Sequence, residues 1–388
     1  MKKKIFAFTG MRSEYDLQFS IANQLNSDES IEFSFVVFGA HLSEIYGLTL
    51  KNIEKDGFNI VKKIPTLINE DSLYAKAKSA SLLADGVCEL FKINRPDLII
   101  VCGDREETII ASTIATYYNI PICHLFGGDR TFPDDLGNVD EQIRNATTKL
   151  AHLHFVSHED HRLRIIKMGE ESWRVINFGS PALDKYVGME AHISDISKYF
   201  DLDVTKKNYT VVIHHPLPNN IEETRKEITN ILKTQIDRGK LTFVSYPNSD
   251  PGNNEIIKII DEFAGKSLFI RPYKNLSRQI FNSLIINSEY LIGNSSMGIL
   301  ECPFLEIPAI NVGRRQKERL NAGNVIFTDF STNSISKAID KIQLDKKFRK
   351  TLKANKHFYG DGYSGKKIVD YLKTVKIDDK LFAKKMMY

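Results

Sequence analysis

Short apolar and β-branched segments alternate with longer segments of helical period along most of the chain. Continuous apolar strands joined by amphipathic helices are typical of parallel sheets that helices cover on both faces. The pattern therefore predicts an α/β protein with two Rossmann-like, doubly wound domains. The predicted strands are Lys4–Thr9, Phe33–Ala40, Asp97–Gly103, Ile120–Leu125, Leu153–Ser157 and Val175–Phe178 in a first series, and Tyr209–His214, Leu241–Tyr246, Leu268–Tyr273, Tyr290–Ile292, Pro308–Val312 and Asn324–Thr328 in a second.

The break between the two series predicts the domain boundary. The first series ends near Gly179–Asp184, and the polar residues up to about Asn208 indicate a connecting helix and a loop. We therefore predict an N-terminal domain at 1–184, a C-terminal domain at 185–365 and a final helical segment at 366–388. Two facing doubly wound domains bind ligands in the cleft beyond the carboxyl ends of their strands, so the motifs at those ends are the candidates for chemistry.

Composition narrows the class of protein. The 53 Lys and Arg residues and 49 Asp and Glu residues give a net charge of +4 that is spread along the chain. Such a mild balance does not indicate a nucleic-acid partner or a membrane-surface helix, and it favours a small phosphate-bearing ligand. No apolar run approaches the roughly 18 residues of a membrane span. The 4 cysteines lack metal-site spacing and no signal peptide is evident, which predicts reduced thiols and a cytoplasmic location.

The segment LIGNSSMGILECP at residues 291–303 predicts an anion site. An apolar run stops at Gly293-Asn294-Ser295-Ser296, and a helix is expected to follow. The unpaired N–H groups and partial positive charge of a helix N-terminus, with the two serine hydroxyls, would hold a diphosphate. Glu301, a little over one turn into that helix, could bridge the two hydroxyls of a ribose. An ordinary serine cap before a core helix is the alternative that this segment alone leaves open.

Carboxylates follow the predicted strands of the first series. Asp104 ends one strand, Asp129 follows a glycine pair after the next, and Asp140 and Glu141 open a helix. Converging carboxylates in a partly dry site suit proton abstraction, because like charges and desolvation raise a carboxyl pKa toward neutrality. Surface acids and a helix cap are the alternative interpretation of Asp104 and Asp140.

Two further strand ends carry cationic or titratable side chains. Arg12 lies in the first turn between a strand and a helix, where its planar fork could clamp a phosphate. His214-His215-Pro216 ends a strand of the second series. Alternation should direct one histidine to the cleft and the other to the packing, and a lone histidine at a strand end is more often structural than catalytic.

Taken together, these motifs resemble the hydrolysing UDP-N-acetylglucosamine 2-epimerases of sialic-acid and legionaminic-acid biosynthesis. The resemblance covers nearly the whole chain, and GNSSxGIxE followed by Gly-x-Arg-Gln is its most specific part. It implies the two-domain glycosyltransferase-B architecture, a C-terminal helix that packs back on the first domain, and a homodimer or homotetramer. The segments that carry it are GMRSEYD, GAHLSEIYGLT, CGDREET, IRNATTKLAHLHFVS, GSPALD, HHP, YPNSDPG, GNSSMGILECP, VGRRQKER and HFYGDGYSG.

The resemblance also implies roles for single residues. Asp104 and Asp140 match the catalytic acids of the family, and His215 matches its His-Pro histidine. Arg12, Ser295 and Ser296 would contact the diphosphate and Glu301 the ribose. The other predicted contacts of the UDP-sugar are Gly293, Asn294, Arg315 of the Gly-x-Arg-Gln turn, Asn248 and Phe126.

The implied reaction removes UDP across C1 and C2 of a UDP-N-acetylhexosamine to give a glycal, and then adds water to release the free 2-epimer. We predict no cofactor and no metal, since no acidic metal-binding motif is present and arginines with helix N–H groups would stabilise the leaving diphosphate. An NDP-sugar hydrolase or a glycosyltransferase of the same architecture, without epimerisation, is the alternative. A nucleotide-sugar sensor without turnover is a third interpretation.

One departure from the family lies where the sugar should bind. Phe126 stands where the family has Glu before its Gly-Gly pair, and Asp129 replaces the second Glu. A replacement acid could come from Asp129, Asp134 or Asp135. The change favours an altered sugar, namely a 2,4-diacetamido-2,4,6-trideoxy sugar whose methyl group would rest against Phe126.

Overall fold

The computed structural model describes residues 2–68, 70, 72–130, 139–217, 220–247, 250 and 252–387. The chain divides into two compact units. The first comprises Met1–Asp129, Val139–Val187 and Tyr359–Tyr388, and the second contains Gly188–Phe358. The C-terminal residues from Tyr359 onward thus belong to the first unit, and the first unit is discontinuous in sequence.

The first unit contains a parallel sheet of seven strands in the order β3-β2-β1-β4-β5-β6-β7. Every strand predicted for the first series is confirmed. The edge strand β3 is absent from the predicted set because two of its five residues are exposed lysines and only one residue is buried, so it lacks an apolar run. The strands are β1 Lys3–Thr9, β2 Ile31–Phe38, β3 Ile60–Ile64, β4 Leu98–Cys102, β5 Ile122–Leu125, β6 Leu153–Val156 and β7 Val175–Asn177.

The second unit contains a parallel sheet of six strands in the order β10-β9-β8-β11-β12-β13. All six strands predicted for the second series are confirmed, and with them the predicted fold class of two doubly wound α/β domains. The strands are β8 Tyr209–Ile213, β9 Leu241–Ser245, β10 Ile270–Tyr273, β11 Leu291–Gly293, β12 Ala309–Val312 and β13 Val325–Thr328.

Helices cover these sheets, and side-chain caps begin several of them, for example Ser72 before α3 and Asn220 before α8. No helix in the described part of the chain is both long and apolar enough to cross a membrane. The α-helices are α1 Arg12–Asn26, α2 Leu50–Lys55, α3 Leu73–Ile93, α4 Glu106–Tyr117, α5 Asp140–Leu150, α6 Glu159–Lys167, α7 Ile193–Phe200, α8 Ile221–Asp237, α9 Asn253–Lys266, α10 Arg278–Ile286, α11 Met297–Leu300, α12 Thr332–Leu344, α13 Lys346–Ala354, α14 Ser364–Thr374 and α15 Asp379–Phe382.

Both faces of the first sheet are buried, as its continuous apolar strands require. Successive side chains of β1 point to opposite faces, so Ile5 and Ala7 join one apolar cluster while Phe6 and Phe8 join another. Burial of a large side chain such as Ile5, Phe6 or Phe8 stabilises the fold by about 1.5–3 kcal/mol. The sheet is therefore a rigid base for the polar residues that follow its strands.

The C-terminal segment is tied into the first unit. Helix α14 packs against α1, and Lys3 Nζ donates hydrogen bonds to the carbonyl oxygens of Leu372 at 2.6 Å and Val375 at 2.9 Å. The fully buried Arg174 donates to the carbonyl oxygens of Leu381 at 2.7 Å and Lys380 at 3.0 Å. Both side chains therefore obtain several of their hydrogen-bond acceptors from residues 372–383, and Arg174 also donates to Glu171 and His152.

Strand order locates the places where each unit can bind a ligand. In the first sheet the order reverses between β1 and β4, and in the second it reverses between β8 and β11. In doubly wound sheets, ligands bind at the carboxyl ends of the strands that flank such a reversal. The residues that follow β1, β4, β8 and β11 are therefore the candidates for a functional site.

Candidate active site

A buried arginine organises the carboxylates of the first unit. Arg144, on α5, is 1% exposed. Its guanidinium donates hydrogen bonds to the carboxylate of Asp104, to Glu141 Oε2 at 2.7 Å and to the carbonyl oxygen of Asp129 at 3.2 Å. The planar fork of arginine holds several oxygens in fixed directions at once. Three segments that are distant in the chain thus meet at one side chain.

The charges around Arg144 reinforce one another. Burial lowers the pKa of Arg144, but the carboxylates of Asp104, Asp129 and Glu141 outweigh that effect and raise its pKa above the usual value. Asp129 is itself 5% exposed, and its Oδ1 lies 3.5 Å from Nε2 of the buried His161. The site therefore concentrates negative charge around one permanent cation, which suits a group that must accept a proton.

His124 supports the turn that carries Asp104. This histidine is fully buried, and its Nε2 lies 2.8 Å from the carbonyl oxygen of Gly103. Because a carbonyl oxygen only accepts, Nε2 must carry the hydrogen. Burial is the main cause that lowers the pKa of His124 to about 3, so the imidazole is neutral at physiological pH. His124 thus positions the backbone before Asp104 without adding a charge.

Two glutamates lie at the starts of the helices that follow β1 and β4; Glu14 is buried, and the side chain of Glu107 is 15% exposed. Glu14 Oε2 accepts a hydrogen bond from the Gly10 N–H at 2.8 Å, and Glu107 Oε2 lies 3.3 Å from Arg105 Nε. Burial, followed by repulsion from Glu107, raises the pKa of Glu14 to about 8. Burial, followed by repulsion from Glu106, raises the pKa of Glu107 to about 7. The pair therefore holds a proton near neutral pH beside the turn that carries Arg12.

The remaining predicted residues of the first unit lie around these groups. Arg12 is the first residue of α1, is half-buried, and has its Nε 3.5 Å from Asp16 Oδ2. Asp140 is the first residue of α5 and is half-buried, one helical turn before Arg144 and so on the same face of the helix. Asp134 and Asp135, the alternative acids, lie outside the described residues.

Phe126 occupies an unusual backbone position. Its φ angle is +63°, in the left-handed region, and its side chain is 8% exposed within the apolar cluster that contains Ile5 and Phe155. A bulky residue rarely adopts this conformation. Most of the ring packs in the core, so only a small edge is available to a ligand.

In the second unit, Gly293 and Asn294 form a tight turn after β11. Gly293 has a φ angle of +139°, and a Cβ atom there would lie 2.0 Å from the carbonyl oxygen of Ile213. Only glycine fits this approach of two backbones. Asn294 then binds the end of β8, because its Oδ1 accepts from the His215 N–H at 2.7 Å and its Nδ2 donates to the His215 carbonyl oxygen at 2.8 Å.

The serines and the acid of this segment differ from the prediction in one respect. The Met297 N–H donates to Ser295 Oγ at 3.3 Å, and Ser296 has helical dihedral angles. The expectation that Glu301 lies inside a helix is wrong, because α11 ends at Leu300. Pro303 ends the helix, since proline lacks an N–H group and disfavours a helical residue before it. Glu301 follows the short helix directly and is 8% exposed.

The Gly-x-Arg-Gln turn closes on the same segment. Arg315 Nη1 and Gln316 Nε2 each donate to the carbonyl oxygen of Asn294 at 3.1 Å. Arg315 is half-buried, so a cation stands beside the turn that carries Ser295 and Ser296. Three segments of the second unit, after β8, β11 and β12, therefore meet at Asn294.

The two histidines after β8 differ in burial. His214 is 1% exposed, and its Nε2 lies 3.1 Å from Oε2 of Glu227 on α8, whereas His215 is half-buried. The expectation that one histidine packs is thus met by His214. Asn248, a predicted substrate contact, lies outside the described residues. In the part of the chain that the structure describes, no group of three His, Cys, Asp or Glu side chains is arranged to hold a metal ion.

The sequence-based candidates omit Arg144, Glu14, Glu107 and Glu227. Arg144 follows Glu141 by three residues, and helical spacing alone would have placed both side chains on one face. Glu227 carries no comparable signal, because its partner His214 comes from a strand and its neighbours in α8 are typical of an amphipathic helix.

Comparisons with known proteins agree with this arrangement. The family model described as UDP-N-acetylglucosamine 2-epimerase matches residues 23–373. The GDP/UDP-N,N'-diacetylbacillosamine 2-epimerase (hydrolyzing) of Campylobacter jejuni is 35% identical over 346 residues, which cover 88% of each chain. The UDP-N,N'-diacetylbacillosamine 2-epimerase (hydrolyzing) of Legionella pneumophila is 32% identical over 387 residues, which cover 99% of each chain.

Solved structures share the fold. The UDP-GlcNAc 2-epimerase from Neisseria meningitidis bound to UDP-GlcNAc superimposes with a TM-score of 0.82 at 18% identity and covers 96% of this chain and 100% of its own. The Methanocaldococcus jannaschii UDP-GlcNAc 2-epimerase in complex with UDP-GlcNAc and UDP gives a TM-score of 0.78 at 17% identity. The match covers 97% of this chain and 100% of that one. At these identities the likeness concerns the fold alone.

Proposed function

Because the chain belongs to the UDP-N-acetylglucosamine 2-epimerase family, we propose that it is the hydrolysing 2-epimerase of UDP-N,N'-diacetylbacillosamine, a 2,4-diacetamido-2,4,6-trideoxy sugar. The family that the sequence motifs predict is confirmed, and so is the class of enzyme, a hydrolysing UDP-N-acetylhexosamine 2-epimerase. The narrower choice of sugar is supported by the two relatives above that are named for this substrate. The free 2-epimer is the sugar expected for legionaminic-type acids.

The main structural support for this proposal is the cluster of Arg144 with Asp104, Asp129 and Glu141, at the strand reversal of the first sheet. In the proposed mechanism a carboxylate removes the C2 hydrogen, the electron pair forms the C1=C2 bond, and the C1–O bond breaks to release UDP. Asp104 is our choice for this base, because Arg144 fixes its direction and 29% of its side chain remains exposed to a substrate. Asp129 and Asp140 would then handle the proton that returns to C2 when water adds at C1.

The second unit would hold the nucleotide. We assign Ser295, Ser296 and Arg315 to the diphosphate, with Glu301 at the ribose and His215 beside the sugar. Ser295 accepts a hydrogen bond through its oxygen, and such a hydroxyl can still donate its hydrogen to a phosphate. Arg315 is held by the Asn294 carbonyl, so its charge is preorganised for the leaving group. Arg12 of the first unit would add a further cation at the diphosphate.

The altered sugar fits the loss of a polar side chain at position 126. A 6-deoxy sugar presents a methyl group where N-acetylglucosamine presents a hydroxyl, and a methyl group requires no hydrogen-bond partner. The contact between that methyl and Phe126 stays a prediction. With 8% of its surface exposed, Phe126 can contribute only a small contact, so selectivity should arise mainly from neighbouring residues.

A proton NMR time course in deuterated water tests this function. UDP should be released without any acceptor sugar, and the free product should carry one deuterium at C2. Retention of the C2 hydrogen would instead identify an NDP-sugar hydrolase, and a requirement for an acceptor would identify a glycosyltransferase. Equal or faster turnover of UDP-N-acetylglucosamine than of UDP-N,N'-diacetylbacillosamine would overturn the choice of sugar.

We also propose a cytoplasmic homodimer or homotetramer. The 4 free cysteines, of which Cys102, Cys123 and Cys302 are buried, fit a reducing compartment. Light scattering coupled to size-exclusion chromatography tests the assembly, and a mass near 44 kDa would contradict it because that is the mass of one chain.

A further inference from the structure

We propose that Glu227 and His214 form a buried acid–imidazole pair that positions the three segments of the second unit that hold the nucleotide. Neither residue is among the predicted contacts of the substrate, so both are positioning residues. The inference rests on the proposed function, since it assumes that UDP binds beside Asn294, Ser296 and Arg315.

The pair is removed from solvent. Glu227, on α8, is 0% exposed and His214, at the end of β8, is 1% exposed, and 3.1 Å separate Glu227 Oε2 from His214 Nε2. Among the described residues, neither carboxylate oxygen has an aligned hydrogen-bond donor, and the contact with His214 is at an ion-pair distance. Burying an unpaired carboxylate is strongly unfavourable. The imidazole of His214 is therefore the group that compensates this buried carboxylate.

Gly313 brings the third segment to this pair. A Cβ atom at Gly313 would lie 1.7 Å from Glu227 Oε1, and the φ angle of Gly313 is +79°. The carboxylate thus occupies the space that any side chain at position 313 would fill. Gly313 begins the turn that contains Arg315, so the position of Glu227 sets how closely that turn approaches α8.

Asn294 connects the pair to the other two segments. Its Nδ2 lies 3.4 Å from His214 Nε2, and its side chain holds the backbone of His215 through two hydrogen bonds of 2.7 and 2.8 Å. The pair therefore lies next to Asn294, the residue before Ser295, whose carbonyl oxygen accepts from Arg315.

This arrangement predicts an asymmetry between the two residues. Removing the imidazole leaves a buried carboxylate that is unpaired and lies behind the proposed diphosphate site, where it repels the ligand. Removing only the negative charge of Glu227 leaves the imidazole in place and no repulsion. If the pair only filled space, the losses of UDP affinity in the two single variants would add up in the double variant.

The test measures the dissociation constant of UDP by calorimetry for the wild-type protein, the variants His214→Gln and Glu227→Gln, and the double variant. We expect His214→Gln to weaken UDP binding tenfold or more and Glu227→Gln to weaken it less than threefold. The double variant should bind UDP at least threefold more tightly than His214→Gln alone. Should His214→Gln fail to fold, His214→Asn in the same two backgrounds gives the same comparison.

Tyr290→Phe is the matched control, because Tyr290 Oη donates at 2.8 Å to Gln235, another buried polar residue of α8, away from the three segments. It should lower stability and leave UDP affinity unchanged. A double variant that binds UDP no better than His214→Gln overturns the inference. A wild-type protein that fails to bind UDP overturns the proposed function instead.

Discussion

Replacement of Arg144 by lysine is the sharpest test of the carboxylate cluster. Lysine keeps one positive charge but has a single donor group on a flexible stem, so it cannot hold Asp104 and Glu141 together as the guanidinium does. At least one charge-assisted hydrogen bond is lost, and such a bond contributes about 1.5–3 kcal/mol. The two carboxylates are 29% and 23% exposed, so water replaces part of the loss, and about 1–2 kcal/mol remains.

If this energy holds Asp104 in the geometry for proton abstraction, it appears in the barrier of the chemical step. A loss of about 1–2 kcal/mol corresponds to a fall in kcat of roughly five- to thirtyfold. KM should stay within a few-fold, because the nucleotide is bound by the second unit in our proposal. Steady-state assays of UDP release provide both constants, and urea unfolding provides the stability of the same protein.

Arg174→Lys is the control for this variant. Arg174 is as buried as Arg144 and belongs to the same unit, but it precedes β7 and so lies at the amino end of the parallel strands. We expect it to lower the free energy of unfolding and to leave kcat unchanged. Equal losses of kcat in both variants, or full kcat in Arg144→Lys, would refute the assigned role of Arg144.

Further predictions concern single groups. Asp104→Asn should abolish turnover and leave UDP affinity within a few-fold, and retained turnover would remove Asp104 from proton transfer. Ser296→Ala and Glu301→Ala should each weaken UDP binding by about 1 kcal/mol or more, measured by calorimetry, with unchanged affinity contradicting the assignment. Because the pKa of Glu14 is raised to about 8, its proton stabilises the fold at low pH, and this contribution is lost as pH rises from about 5 to 8. Glu14→Gln should therefore flatten the pH dependence of the unfolding free energy in that range, and an unchanged slope would contradict the shift.

The sequence predicts the strands well because their apolar runs are local signals, as in Leu98–Cys102 and Tyr209–Ile213. It fails at β3, where exposed lysines remove that signal, and at the end of α11, where Pro303 limits the helix to one turn. Asp104 and Asn294 could be predicted because each follows a glycine at the end of an apolar strand. Glu227 gains its importance from a partner that only the folded chain brings near, so local patterns do not mark it. For Arg144, helical spacing marks the contact with Glu141 but not those with Asp104 and Asp129.

The discontinuity of the first unit has a consequence for protein synthesis. Lys3 and Arg174 are synthesised before the segment Gly188–Phe358, but several carbonyl groups that accept their hydrogen bonds belong to residues 372–383, which follow that segment in the chain. The N-terminal sheet therefore lacks these contacts while the segment Gly188–Phe358 is being made. A nonsense mutation that removes only α14 and α15 should consequently destabilise the N-terminal sheet, although that sheet is translated first.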